Sequence, residues 1–562
     1  MRSAGKGPLE SLYFNYPHFE APTTAEITAR GLKAPVVIVG AGPIGMTAAL
    51  TLAQYGIRSV LLDRKPTFND GSRATCVSRS SMQILQQIGA VAPYLEHALG
   101  WRYGRSYFRD HQIYRLEMPH SDNDKYLPMY NLQQQYIEQY LWDAVAKCDL
   151  IDARWQTEAT AINQRRDGAT LSIASPNGGY DLDADYVLAA DGARSAIRQM
   201  LGLRLAGDNY VGRYVIADVQ MKHDFPTERR AFFEPAGNPG GTVLIHKQPD
   251  DIWRVDYQLR PGESEAQAIE EPNVRSRVTA ILADIGHQGP WELEWWSIYT
   301  ANTLCLDEYK HGRVIFIGDS AHIVPIFGVR GLNNGLSDAH NIGWKLGLVL
   351  NGEADPRLLD SYSPERRGAT LDVFANATKS TQFMTPPTRG WKLAREAALS
   401  LAIHHEFPRG LANPRQMQPY TYSSSPLSRP SADEVAFTAG PICGAACPNV
   451  KLGDGRYLLD LAGTGYTGLL FADRPLVTAE AELLSALRTL DRRFTPIVVA
   501  MAAANIPGAI VTDQNGDAVR LFGASAGTFY LLRPDLHVAG RWRHLEAKQI
   551  IAALRAGLGD PK

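Results

Sequence analysis

The sequence predicts an α/β protein in which a first domain, built on a parallel sheet, is interrupted by an inserted antiparallel sheet and followed by a separate C-terminal domain. Three observations carry this. Residues 35–40 (Pro-Val-Val-Ile-Val-Gly) are a short apolar run suited to a parallel strand buried on both faces, and a glycine-rich turn follows at once. From Asn209 to about Thr300 the texture changes to strand-like runs separated by turns. The chain then returns, at residues 313–318 (Arg-Val-Ile-Phe-Ile-Gly), to a strand of the first kind, which makes the first domain discontinuous.

Each element follows from its residues. Residues 46–55 have helical composition and 58–63 (Arg-Ser-Val-Leu-Leu-Asp) read as a second strand, giving strand, turn, helix, strand. Further helices are expected at 80–88 and at 134–147, where Ile137, Leu141 and Ala144 fall at helical spacing. In the inserted sheet, Trp253, Val255, Tyr257 and Leu259 alternate with Arg254, Asp256 and Gln258, the period of a strand with unlike faces. Helical segments follow at 332–350 and 363–403, a Pro- and Ser-rich linker at 409–431, and a closing amphipathic helix at 545–558. The expected division is an N-terminal arm, 1–33; a first domain, 34–105 with 134–205 and 300–405; an inserted domain, 106–133 with 206–299; a linker, 406–431; and a terminal domain, 432–562.

Composition narrows the function classes. The 562 residues exceed a single hydrophobic core, and 45% hydrophobic with 21% charged residues is ordinary globular composition. A net charge of -2 and a pI near 6.7 give no field that would draw the chain to nucleic acid or to an anionic membrane, so a small-molecule partner is expected. Five scattered cysteines, with Cys443 and Cys447 spaced CxxxC, suit a reducing compartment and hence the cytoplasm. Residues 1–33 lack an apolar core of signal-peptide length, and the apolar stretch 496–511 is too short to span a bilayer.

The turn at 40–45 (Gly-Ala-Gly-Pro-Ile-Gly) carries the first chemistry. Gly40 permits a tight turn, Gly42 lets a pyrophosphate approach the backbone, Gly45 lets helix and strand pack closely, and the helix N-terminus beginning near Pro43 holds the anion. Asp63, eighteen residues beyond Gly45 at a strand end, is placed to accept hydrogen bonds from ribose hydroxyls. Two other matches fail on context. Residues 463–468 satisfy GxGxxG but precede a strand, and 523–527 satisfy the GxSxG of serine hydrolases but also lead into a strand. No metal site is expected.

One fingerprint suits NAD as well as FAD, and two later segments decide between them. Residues 186–198 (Tyr-Val-Leu-Ala-Ala-Asp-Gly-Ala-Arg-Ser-Ala-Ile-Arg) resemble the Asp-Gly motif of class A flavoprotein aromatic monooxygenases, and 312–322 (Gly-Arg-Val-Ile-Phe-Ile-Gly-Asp-Ser-Ala-His) resemble their Gly-Asp motif. The resemblance implies a Rossmann-like, glutathione reductase-like FAD-binding domain. In it Asp319, after Gly318, binds the ribityl hydroxyls, and Asp191 lies near the pyrophosphate and the nicotinamide route. Arg73 is similarly placed to the arginine of the family's Pro-Arg-Ala, and Gln134 to the glutamine of its flavin-contacting helix. Arg64, Arg194 and Arg198 suit either ligand contact or surface ion pairs.

Residues 325–335 (Pro-Ile-Phe-Gly-Val-Arg-Gly-Leu-Asn-Asn-Gly) resemble the family's Pro-Pro-Phe-Gly-Gly-Gln-Gly-Met-Asn-Ser-Gly loop. Starting at Pro325, it would present the amides of Gly331, Leu332 and Asn333 to negative charge on the reduced flavin. Three positions depart: Ile326 replaces a proline, Val329 a glycine and Arg330 a glutamine. Arg330 either attracts an anionic substrate or forms a salt bridge at the loop edge.

Residues 444–455 and 529–542 resemble the thioredoxin-like domain of phenol and hydroxyphenylpropionate hydroxylases, which lacks a redox CxxC and implies packing or a homodimer. The resemblance implies that NADPH or NADH reduces FAD, that O2 adds at flavin C4a to give a hydroperoxide, and that its distal oxygen attacks a phenolic ring. Candidates for the substrate base and orienting groups are His246, Asp256, Tyr257 and Arg330; Asp256 and Tyr257 point to opposite faces of one strand, so at most one of the two faces the ring. Rival readings are a hydroxylase expelling nitrite or halide, and a non-catalytic flavin-binding protein. A flavin halogenase is disfavoured, because 294–299 (Glu-Trp-Trp-Ser-Ile-Tyr) lacks the Trp-x-Trp-x-Ile-Pro signature.

Overall fold

The computed structural model describes residues 9–325, 328–412, 418–501, 506, 511–513 and 515–560. Residues 1–8 of the arm, Ile326 of the loop, 413–417 of the linker and 502–505 and 507–510 of the apolar 496–511 stretch lie outside the described residues.

Five parallel strands run in the order Val314–Phe316, Gly178–Ala189, Lys33–Val39, Ser59–Leu62 and Ile151–Arg154. Val36, Val37 and Ile38 are fully buried, as expected for a run covered on both faces. The chain moves outward from Lys33–Val39 to one side and returns on the other, so the switch point of the sheet lies at the end of that strand, where the glycine turn sits. Gly178–Ala189 extends beyond the parallel core to pair with the antiparallel hairpin Glu158–Gln164 and Ala169–Ser175. The arm packs here through Phe14, which is buried, and Phe19, stacked 4.3 Å from Trp155.

A second sheet of eight strands runs His322–Ile323, Glu292–Cys305, Ala206–Gln220, Ile252–Gln258, Thr242–Lys247, Arg229–Phe233, Tyr103–Phe108, His111–Glu117. All pairs are antiparallel except Arg229–Phe233 with Tyr103–Phe108. One face buries Val215, Val255 and Tyr257 against Val274, Val278 and Ile281 of the helix Glu271–Asp284. The opposite face turns toward the first domain, and His322–Ile323 joins it to the Gly318–Ser320 turn.

The helical segment at 363–403 divides into Tyr362–Met384 and Arg389–His404. Pro386 and Pro387 separate them, since proline lacks the amide a helix needs and restricts the residue before it. Residues 467–542 form a five-stranded mixed sheet, ordered Val511–Asp513, Thr495–Met501, Thr467–Ala472, Phe529–Leu532, Val538–Trp542. Cys443 and Cys447 are unpaired and buried there, and burial pushes both thiols up. Gly463 precedes the strand Thr467–Ala472, and Ser525 lies in a turn before Phe529–Leu532 with its hydroxyl 3.3 Å from Thr528 Oγ1. No helix among the described residues is long and apolar enough to cross a membrane.

Candidate active site

The three glycines of the first turn divide as their backbone geometry requires. Gly40 has φ +111°, and a Cβ there would lie 2.4 Å from the Ala190 carbonyl oxygen. A Cβ on Gly45 would come within 1.9 Å of the Gly40 carbonyl oxygen. At Gly42 nothing lies within 4 Å, so open space faces the backbone at the N-cap of Pro43–Gln54. The first amides of that helix have no intrahelical acceptor and supply the positive end of its dipole. Asp63 Oδ2 accepts from the Ala41 amide and Oδ1 from the Lys65 amide, both at 2.9 Å, which fixes the carboxylate beside the turn.

Other expected groups surround this cleft. Asp191 Oδ2 accepts from the Ile197 amide at 3.1 Å, while its buried Oδ1 has no partner among the described residues and burial raises its pKa. Gly318 has φ +62° and donates its amide to Asp338. Asp319, next in sequence, is exposed in the Gly318–Ser320 turn, and desolvation by the surrounding protein raises its pKa. Gln134 accepts from the Ala74 amide at 3.0 Å and donates to Glu138 at 2.7 Å, bracing the segment that carries the exposed Arg73. Arg64 is exposed and 3.7 Å from Glu158, a surface pair, whereas Arg198 is buried and donates to the carbonyls of Ser320 and Ala193. Arg194 is exposed.

The loop ending at Arg330 leads into the helix Gly331–Leu350, whose first intrahelical bond runs from the Asn334 amide to the Arg330 carbonyl at 2.9 Å. The amides of Gly331, Leu332 and Asn333 are therefore available to an anion. The Asn333 side chain is committed elsewhere: it accepts from the Ser78 amide and Ser81 Oγ and donates to the carbonyls of Cys76 and Val329. Pro325, before the loop, is buried. Val329, where the family pattern has glycine, keeps the glycine conformation at φ +56°, a strained setting for a β-branched residue. Arg330 is buried, and its Nη1 donates to the Val373 carbonyl at 2.9 Å. Burial, with Arg229 adding to it, lowers the Arg330 pKa to about 10.

Facing the loop, the inserted sheet presents one row of cross-strand neighbours: Arg229, His246, Arg254 and Asp218. Asp256 stands in the next row, beside Leu244. Arg254 pairs with Asp218 at 2.9 Å and also reaches the carbonyls of Ser72 and Arg73, tying the sheet to the segment near Gln134. His246 Nδ1 and Asp256 Oδ1 are buried without partners among the described residues. Burial, Arg229 and Arg254 hold the His246 pKa well below its ordinary value. Burial raises the Asp256 pKa to about 7, with Arg254 and Arg229 opposing.

Tyr257 is a correction. It lies on the other face, in the core formed with the helix Glu271–Asp284 and under the Arg277 guanidinium, because side chains alternate along the strand. Arg229 went unmarked in the sequence reading. The signal available was the alternation of Arg229, Ala231 and Phe233, which puts a charge on an otherwise apolar face.

The polar demands of FAD fit these residues: open backbone at Gly42 for a pyrophosphate, an accessible carboxylate at Asp319 for a polyol, and free amides at Gly331–Asn333 for the ring. A strand-end glycine cleft over a parallel sheet, with a second sheet facing its far end, defines a flavoprotein. The FAD binding domain family matches residues 33–377, and the chain belongs to it. The HcaD C-terminal domain family matches residues 446–557. A 3-(3-hydroxy-phenyl)propionate/3-hydroxycinnamic acid hydroxylase of Klebsiella pneumoniae is 26% identical over 517 residues, 90% of this chain and 91% of that protein. Among solved structures, the flavin-dependent monooxygenase PieE, in complex with FAD and substrate, has a TM-score of 0.77 at 22% identity, covering 94% of this chain and 99% of that one. Aklavinone-11 hydroxylase, with FAD and aklavinone, has a TM-score of 0.74 at 22% identity over the same shares.

Proposed function

We propose that the protein is an FAD-dependent aromatic monooxygenase that uses NADPH or NADH and O2 to hydroxylate a phenolic compound. The observation that carries this reading is the row of buried, titratable side chains facing the flavin loop, with Asp256 in the adjoining row. FAD, when bound, supplies electron transfer from the nicotinamide and activation of O2. A phenolate is far more nucleophilic than a phenol, so the site needs a base matched to neutral pH. Asp256, at about 7, meets that need, and its Oδ1 has no competing partner. His246 is the weaker base, because its pKa is held well below the ordinary range, and it serves as a hydrogen-bonding neighbour. The burial of both groups supports exclusion of water, which protects a reactive oxygen species from wasteful breakdown.

Residues 432–562 are read as a thioredoxin-like domain with a packing or dimerisation role, and the enzyme as cytoplasmic. The test is a panel of phenols given to FAD-loaded protein, scored for NADPH and NADH consumption, O2 uptake and products. Hydroxylated product supports the reading, and nitrite or halide release redirects it to displacement. Protein that loads FAD yet never consumes nicotinamide with any phenol is a binding protein. Protein that cannot be loaded with FAD overturns the reading entirely.

A further inference from the structure

The helix Arg389–His404 has one face committed and one left bare. Toward the protein, Leu399 and Ala402 pack with Phe108, Phe233 and Leu244 of the inserted sheet, and the buried Arg395 donates to the Met384 carbonyl at 3.2 Å. Toward solvent, Gly390, Leu393, Ala394, Ala397, Ser400 and Leu401 are all exposed, and at about 100° per residue they fall within roughly 60° of Ala397. His404 closes this stripe, which carries no Asp, Glu, Lys or Arg along about 21 Å of helix. Leu393 is 56% exposed and Leu401 45%. With Trp391, Phe407 and Leu411 they make five of the twelve large apolar side chains exposed among the described residues, gathered between 391 and 411. Exposed apolar side chains scattered singly are ordinary, but a concentration of them marks a contact surface.

We infer that this face is the seat of a second copy of the chain, the two helices lying antiparallel about a two-fold axis at Ala397. The stripe is complementary to itself under that symmetry. Leu393 and Leu401 stand four residues to either side of Ala397, so each meets the other's copy, and the small Ala397 meets itself where the helices come closest. The ends are opposite in sign. Lys392 is answered within the helix by Glu396 at 3.7 Å, whereas Arg389 at one end and Glu406 beyond the other are exposed without an ion pair among the described residues. The antiparallel arrangement sets each Arg389 against the end bearing Glu406, and opposes the helix dipoles favourably; a parallel one would set like ends together. The inference is independent of the hydroxylase reading and leaves residues 432–562 the packing role. The docking helix is also the one packed on Leu244, the cross-strand neighbour of Asp256, so the contact braces the sheet beside the proposed base.

The test is the mass of the FAD-loaded full chain, by light scattering on gel filtration over the micromolar range. Twice the chain mass of 61.8 kDa is expected. Ala397→Glu sets two carboxylates face to face at the axis and should raise the dimer dissociation constant by on the order of 100-fold or more. Val435→Glu, at a side chain 93% exposed outside this segment, should leave the dimer intact. Arg389→Glu should weaken it and Arg389→Glu with Glu406→Arg restore it. At a helix spacing of about 8–10 Å and a Cα radius of about 2.3 Å, the two Ala397 Cα atoms stand roughly 3.5–5.5 Å apart, within disulfide reach. Ala397→Cys should therefore cross-link on mild oxidation to a dimer band that the unaltered chain, with its own five cysteines, does not give. A chain monomeric throughout, a dimer unmoved by Ala397→Glu, or an Ala397→Cys chain that does not cross-link overturns the inference. So does a monomer that sediments with phosphatidylserine vesicles, which would assign the face to a membrane. Should Ala397→Glu fail to fold, the cross-link decides.

Discussion

Asp256→Asn keeps the size and hydrogen-bonding capacity of the side chain and removes its ability to take a proton. With a pKa of about 7, the carboxyl is about one-tenth ionised a unit below that value and about nine-tenths ionised a unit above it. In the unaltered enzyme, kcat/KM for a phenol should therefore climb about tenfold per pH unit below neutrality and level off above it. Asp256→Asn should lose on the order of 100- to 10,000-fold in kcat/KM, and with it the ascending limb. Stability should move the other way. The folded pKa is raised above the unfolded value, so between about pH 4 and pH 7 the folded state holds the proton more tightly, and stability falls as pH rises through that window. A rise of about 3 pKa units corresponds to at most about 4 kcal/mol. The variant should match the parent near pH 4 and exceed it at pH 8 in denaturant unfolding, with flavin content unchanged. An ascending limb near pH 7 that survives in Asp256→Asn, or a loss in kcat/KM below tenfold, would refute the assignment.

Four further outcomes follow from the geometry. Gly42→Val should leave the melting temperature of the apoprotein unchanged, because φ is -75° and nothing lies within 4 Å of the added carbon, yet abolish flavin retention measured as flavin absorbance per protein. Asp319→Ala should also yield protein that loses flavin on gel filtration, since it removes the accessible carboxylate of the Gly318–Ser320 turn. Glu365→Gln should cost about 3–5 kcal/mol in unfolding at neutral pH by leaving Lys345 without its buried counter-charge and Arg533 with Asp535 alone. Against the burial that raises it, those cations hold the Glu365 pKa down at about 2, so this stability is present above the ordinary carboxylate range and disappears as pH falls toward 2. Ser525→Ala should leave turnover intact, since its hydroxyl faces Thr528 in a turn and no helix follows to make a nucleophile elbow.

What could be read in advance was local. Gly40, Gly42 and Gly45 act through backbone sterics within one turn, and Asp63 through a strand end, so residue type and spacing were enough to place them. The inserted sheet was harder. Alternation along 252–258 gave the parity of Asp256 and Tyr257 but not which faced inward, since every residue from Ile252 to Tyr257 is buried. The face carrying Arg254 and Asp256 would ordinarily meet water; here it meets the first domain, and only tertiary contact reveals that. Arg229 was hidden for the same reason. Its burial comes from Tyr103–Phe108 pairing alongside its strand and Thr242–Lys247 on the other side, partners drawn from distant parts of the chain.

The two buried charge clusters make opposite statements about their purpose. At the far end of the helix Gly331–Leu350, Glu365 accepts from Arg533 at 2.6 and 3.0 Å, Lys345 at 2.7 Å and Asn341 at 2.9 Å, while Asp535 accepts from Arg533 and Trp344. Both carboxylates are fully engaged, and two cations offset two anions. Such a cluster specifies how the C-terminal sheet seats on the helix that begins at Gly331. At the other end of that helix, Arg229 Nε and Nη1, His246 Nδ1 and Asp256 Oδ1 have no partners among the described residues, and Val329, just before the helix, holds a strained conformation. Buried polar groups are ordinarily satisfied, and strain persists only where surrounding structure enforces it. Unmet donors and acceptors also occur elsewhere among the described residues, at Trp155 Nε1 and Thr467 Oγ1 for example, but here they fall on three adjacent strands. On the aromatic-monooxygenase reading proposed above, these are the groups that a phenolic ligand would complete.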